Sequence, residues 1–142
     1  MRGSDPDASL YYMMRMLESG EDPHFITRRM IIFAAEDVSC DPRALQMAVA
    51  TDQALERVGM PEGRIPLAYC ACYLASMPKS NASYVAMKKA LSAVQENPNL
   101  SIPRKLCNPV TSEMKGRGYG DGYKYPHDFA GGVVIGLSLI HI

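Results

Sequence analysis

The chain has 142 residues, with fifteen Lys/Arg against fifteen Asp/Glu, 47% hydrophobic and 21% charged. That size suits one ordinary domain burying about two-thirds of its unfolded surface, and the composition excludes wholesale disorder. The zero net charge conceals an asymmetry: residues 1–64 carry eleven Asp/Glu and seven Lys/Arg, residues 65–142 four and eight. The basic bias of the second half is too small to define a strong nucleic-acid binder by itself.

Cys40, Cys70, Cys72 and Cys107 form no paired framework, which fits reduced intracellular thiols. No apolar run approaches the roughly 20 residues needed to cross a bilayer. The expectation is a soluble cytoplasmic chain with no membrane partner.

Most helices are announced by an acidic or polar cap followed by proline, whose missing N–H is harmless in a first turn. Ser4-Asp5-Pro6 opens a first helix with Leu10, Met13, Met14 and Leu17 on one stripe, stopped at Gly20. Asp22-Pro23 opens a second, with Ile26, Met30 and Phe33 on a stripe widened by Ile31, Ala34, Ala35 and Val38. Asp41-Pro42 opens a third, whose stripe runs Ala44, Met47, Ala48, Leu55 and Val58 before Gly59. A fourth begins near Pro61-Glu62 or Pro66; it carries no charge from Ile65 to Met77 and is expected at the centre, buried on most sides.

Ser80 or Asn81 caps a fifth helix with Tyr84, Met87, Leu91 and Val94 expected inward and Lys88 and Lys89 outward, closing before Asn97-Pro98. Beyond residue 98 Pro, Gly and Asn multiply, giving an irregular arm with one short helix around Thr111–Lys115. No strand-like alternation or fixed repeat appears, so the fold class is all-α, a bundle of about five helices with a C-terminal Gly/Tyr arm.

Catalytic constellations are missing at the level of spacing. The nearest approach to a phosphate-cradling loop, Gly59 to Gly63 followed by Arg64-Ile65, has the wrong spacing and lacks the hydroxyl. Cys70 and Cys72 stand about 200° apart around a helix and cannot share a metal. Glu36 and Asp37, adjacent on a helix, point about 100° apart; they read as structural carboxylates that need a donor from the next cap or from an arginine, since acids oppose the dipole at a helix C-terminus. Arg28, Arg29 and Lys79 are candidates for interface or structural ion pairs against a default of plain surface solvation. His24, and His127 beside Asp128, complete no nucleophile–base–orienter set by spacing. No catalytic residue, cofactor or metal ligand is assigned.

The most distinctive segment is residues 115–128, where Lys115, Arg117 and Lys124 alternate with Tyr119, Tyr123 and Tyr125 among glycines. It supports two readings. The tyrosines can stack on unpaired bases while the cations meet phosphates, or the glycines let the arm turn while the tyrosines pack down and anchor the chain end. Three cations make a modest electrostatic site, which favours the second.

A set of ordered motifs carries a resemblance. Gly3-Ser4-Asp5-Pro6-Asp7-Ala8, Gly20-Glu21-Asp22-Pro23, Arg28-Arg29, Ala35-Glu36-Asp37-Val38, Gly59-Met60-Pro61-Glu62-Gly63-Arg64, Pro78-Lys79-Ser80-Asn81 and Gly122-Tyr123-Lys124-Tyr125-Pro126-His127-Asp128 occur in order. Together they resemble the C-terminal region of the RarA/MgsA and Werner-helicase-interacting-protein family of AAA+ ATPases, over residues 3–132.

The resemblance implies a helical domain akin to the clamp-loader collar, which joins subunits into a homotetramer or larger ring. It implies a non-enzymatic part of a parent concerned with replication-fork maintenance, recombination and repair, nucleoid-associated, with DNA and replication proteins as partners. ATP and magnesium belong to an N-terminal ATPase module that this sequence lacks; Met1 then stands for an internal methionine of the parent. The alternative is a nucleic-acid or replication-protein interaction module using the basic second half and the Tyr/Lys arm. Asp121 departs from the pattern and lowers the charge of that arm. Residues 133–142 also depart from it and are expected to be a non-native or disordered tail.

Overall fold

A computed structural model describes residues 1–134. Its helices are α1 (Pro6–Glu18), α2 (Pro23–Asp37), α3 (Pro42–Val58), α4 (Arg64–Ser76), α5 (Ala82–Glu96) and a short α6 (Ser112–Gly116), with three 3₁₀ turns after residue 100. Among the described residues there is no strand, only an isolated parallel bridge between Val38 and Ser80. The chain divides into two compact units, Met1–Gln95 and a second from Glu96 onward. The expected tail falls, from residue 135, outside the described residues.

In the first unit, local chemistry sets where the helices begin. The Asp5 carboxylate accepts from the Ala8 N–H at 2.9 Å, that of Asp22 from His24 N–H at 3.0 Å and that of Asp41 from Arg43 N–H at 3.0 Å. Each satisfies an amide that has no carbonyl partner in a first turn, and each precedes a proline whose ring already holds helical φ. α4 starts differently: Gly63 stands at its N-cap without a side-chain bond, and Pro66 lies inside the first turn.

The core is built where the apolar stripes meet. α2 packs on α3, and α4 packs on α1, α2 and α3, so α4, uncharged after Arg64, is central. Met13 and Leu17, Ile26, Met30 and Phe33, Ala44 and Ala48, and Leu67 and Leu74 form one cluster. The small Ala44, Ala48 and Ala71 let helix backbones approach closely.

Four expectations need correction. Val58 is exposed, on the outer side of an α3 last turn whose inner side holds the buried Leu55, and Ala35 lies on the outer edge of the α2 stripe. Ile65 and Tyr69 are also exposed, so α4 is buried on one broad face and not all round. The largest departure is α5. Every one of its residues is exposed and it contributes none to the core, so Tyr84, Met87, Leu91 and Val94 do not face inward. Its apolar residues recur at helical spacing, but among the described residues no other element shares a substantial interface with it.

Candidate functional site

The polar residues of the first unit serve mainly structure. Arg2 donates from Nε to both Asp37 oxygens at 3.1 Å and from Nη2 to Oδ2 at 2.7 Å, with Glu36 at 3.5 Å from the same guanidinium. A cation thus meets the acids that oppose the dipole at the end of α2. Asp37 also offers its carbonyl to the Ser80 N–H at 2.7 Å. Ser80 in turn accepts from the Ser39 hydroxyl at 2.8 Å, which pins the root of α5 to the end of α2.

Lys79 donates from Nζ to the Ala75 carbonyl at 3.0 Å and to that of Met77, and lies 6.0 Å from the Phe33 ring centre. It closes the C-terminus of α4, and desolvation pushes its pKa down. Arg28 stacks over Phe25 at 5.4 Å, and Arg29 is exposed.

His24 approaches Asp52 at 3.4 Å and Glu56 at 3.5 Å. The buried Thr27 hydroxyl also binds Asp52, and that bond is the first cause holding the Asp52 carboxyl below its usual range. No serine or cysteine nucleophile joins this surface group. The Cys70 thiol is buried, which raises its pKa and leaves it inert. Among the described residues no three His, Cys, Asp or Glu converge to hold a metal.

In the second unit the arm folds back on itself. Thr111 caps α6 by accepting from the Met114 N–H at 3.2 Å. Arg104 lies 5.6 Å from the Tyr119 ring centre, donates to the Arg117 carbonyl at 3.0 Å, and accepts from the Gly120 N–H at 2.9 Å. Gly120 has φ +79, and a Cβ there would stand 3.0 Å from the Pro109 ring, so only glycine fits this crossing.

The fold-back encloses an open cavity of about 580 Å³ whose walls include Lys105, Lys115, Tyr119, Tyr123, Asn108 and Asp121. Of the six arm residues singled out by sequence, the structure gathers Lys115, Tyr119 and Tyr123 there. Arg117 instead pairs with Glu113 at 2.5 Å, one helical turn away. Lys124 and Tyr125 are exposed and do not line the cavity; Tyr125 packs on His127 with ring centres 5.0 Å apart, and His127 and Asp128 are exposed. Lys105 and Arg104 escaped the sequence reading because they lie ten or more residues before the Gly/Tyr run. The positive charge in Arg104-Lys105 was the only signal that could have found them.

The first unit also exposes apolar surface. On α5, Tyr84, Met87, Leu91 and Val94 recur at spacings of three, four and three, and Leu91 and Val94 are 53% and 62% exposed. Between α2 and α3 lies a second concavity of about 670 Å³, with Ala34, Ala35, Leu45, Val49 and Ala50 in its walls and Asp41 at its edge. Its wall is mostly carbon.

This geometry defines a class: a helical domain with an exposed apolar helix face and one small cationic-aromatic cavity. The sequence model of the MgsA AAA+ ATPase C-terminal family matches residues 3–138, and the chain belongs to that family. It is 60% identical over 92% of its length to an uncharacterized protein of Thermotoga maritima, of which it covers 21%. It is 42% identical to the replication-associated recombination protein A of Coxiella burnetii, over 99% of this chain and 32% of that protein. The protein of the same name in Escherichia coli K12 is 44% identical, over 96% of this chain and 31% of the relative. The chain therefore spans a third or less of the curated relatives it matches, and it corresponds to the C-terminal part of an AAA+ ATPase. No helix among the described residues is long and apolar enough to cross a membrane.

Proposed function

We propose that this domain assembles the subunits of a RarA/MgsA-type AAA+ ATPase acting in replication-fork maintenance and recombination, joining copies into a homotetramer and leaving ATP and magnesium to a separate ATPase module. The observation that carries the reading is α5: a 15-residue helix with an apolar stripe and no buried residue. An isolated helix of that length is marginal in water, and its stability comes from packing its apolar face. A surface of this kind is stabilised by a partner, and an assembly domain supplies one in every sister copy. Light scattering on the 142-residue chain tests it. The expected result is a mass that rises with concentration to a closed oligomer; a monomer at every concentration refutes the reading.

A second reading rests on the arm cavity, which two lysines and two tyrosines help to line. Tyrosine faces accept unpaired bases, with about 1–3 kcal/mol from each stacked base. Fluorescence anisotropy with a labelled single strand at low salt tests it. Binding lost in Lys115→Ala and Tyr123→Ala, with the helical spectrum intact, supports it; no binding by the wild-type chain refutes it.

A further inference from the structure

We propose that Asp121 makes the arm cavity selective for guanine among unpaired bases. This rests on the single-strand reading and names the base it takes. The first argument is the charge Asp121 faces. Among the described residues it is the one acid in a wall that also holds Lys105 and Lys115, and its carboxylate has no hydrogen bond or ion pair there. A ligand offering only phosphate would meet a repelling charge at Asp121, and one offering a cation would meet two lysines. A neutral group with N–H donors, attached to an anion, suits both signs. A nucleotide of a single strand is such a ligand, with donors on the base and charge on the phosphate.

The second argument is the number of donors. An ionised carboxylate only accepts, through two oxygens. Guanine carries two donors side by side on its Watson–Crick edge, the N1–H and the 2-amino group, which meet both oxygens as an arginine fork does. Adenine and cytosine each place one amino group beside a ring nitrogen that only accepts, so a lone pair faces the second oxygen. The single N–H of thymine stands between two carbonyls. Repulsion at the second oxygen rejects all three. The oxygen that adjoins the guanine donors needs an N–H in turn, and the Asn108 amide, also without a partner among the described residues, offers one in the same wall.

The third argument is rigidity. The Tyr123 N–H donates to the Gly120 carbonyl at 3.1 Å and closes a tight turn around Asp121 and Gly122, while the Gly120 N–H is tied to the Arg104 carbonyl at 2.9 Å. Gly122, third in that turn, has φ +77, which glycine takes without a steric cost. The carboxylate that reads the base edge and the half-exposed Tyr123 ring that receives its face are thereby held two residues apart on one closed loop. Little ordering remains to be done on binding.

Fluorescence anisotropy on the 142-residue chain at low salt tests this with two labelled thymine strands. One carries a central guanine; the other carries hypoxanthine there, which differs only in lacking the 2-amino group. The wild type should bind the guanine strand about tenfold more tightly, the low end for a hydrogen bond to a charged group, because the cavity is open. Asp121→Asn keeps the shape and removes the charge, and circular dichroism checks that it stays folded. Its affinity for both strands should rise as repulsion of phosphate is relieved, while the ratio between them falls to about twofold or less.

Equal binding of the two strands by the wild type overturns the proposal and leaves the single-strand reading standing. So does a ratio that Asp121→Asn leaves unchanged, since a purely electrostatic Asp121 would move both affinities together. A wild-type chain that binds neither strand overturns the single-strand reading and the guanine selectivity with it.

Discussion

Gly63→Ala offers a sharp test of what the glycines between α3 and α4 are for. Gly63 has ordinary right-handed helical angles, φ −57 and ψ −19, so alanine meets no backbone penalty there. On that count the substitution should stabilise by about 0.4–1 kcal/mol, through the entropy it removes from the unfolded chain. Space decides otherwise. A Cβ at Gly63 would lie 2.8 Å from the Gly59 carbonyl oxygen and would run into the Leu55 side chain.

Neither neighbour yields cheaply. The Gly59 carbonyl is held by the Gly63 N–H at 2.7 Å, and Leu55 is a buried core residue. Overpacking of this kind costs about 1–3 kcal/mol. The net expectation is destabilisation by about 1–2 kcal/mol, lowering the urea midpoint by about 0.5–1 M at an unchanged slope. Gly59→Ala is the companion: it has open space but φ +66 with ψ −167, a backbone region essentially confined to glycine, so it costs about 1–3 kcal/mol through the backbone instead. An unchanged or raised midpoint for Gly63→Ala would refute the packing account of this corner.

Other consequences concern charge and the arm. Asp41 is held at about 2, first by its side-chain bonds from Arg43 and then by the backbone bond and the Tyr73 hydroxyl. Its folded pKa lies below its unfolded value near 3.9. The stability it contributes is therefore complete above about pH 4 and lost as pH falls toward about 2. Asp41→Asn keeps the cap and removes the charge, so its acid-unfolding curve should be flatter than wild type between those limits; identical curves would rule the pair out as a source of acid sensitivity. Lys79→Met should lower stability by about 1 kcal/mol, measured in urea, by freeing the α4 carbonyls it closes. Arg104→Ala removes the contact over Tyr119 and the bond to Arg117; chymotryptic cleavage of the arm should accelerate about five- to tenfold, and an unchanged rate would mean the fold-back does not depend on Arg104.

Much of the fold was legible because the signals that start these helices are local. Asp5, Asp22 and Asp41 each cap through their own side chain two or three residues ahead, so sequence spacing and structure report the same event. The start of α4 was harder to read, because Gly63 caps nothing and works by leaving room for Leu55, a residue eight positions away. The arm cavity was half legible for a similar reason. Lys115, Tyr119 and Tyr123 belong to one run, whereas Lys105 reaches the cavity only because Arg104 folds back onto Tyr119 and Gly120.

α5 marks a different boundary of sequence reasoning. Periodicity establishes that Tyr84, Met87, Leu91 and Val94 share a face, and that such a face is stabilised by cover. It is silent on which molecule provides the cover. The inward expectation assumed that the nearest apolar surface in the same chain would do so, yet here Ser39, Ser80 and Asp37 fasten only the root of the helix to α2. A face that is amphipathic by pattern and exposed by structure is what a subunit contact requires: it must be complete in the single copy and unsatisfied there. The same logic explains why α1 to α4 bury their stripes while α5 does not. The first four make the body of the domain, and the fifth carries the exposed apolar stripe on which the proposed assembly rests.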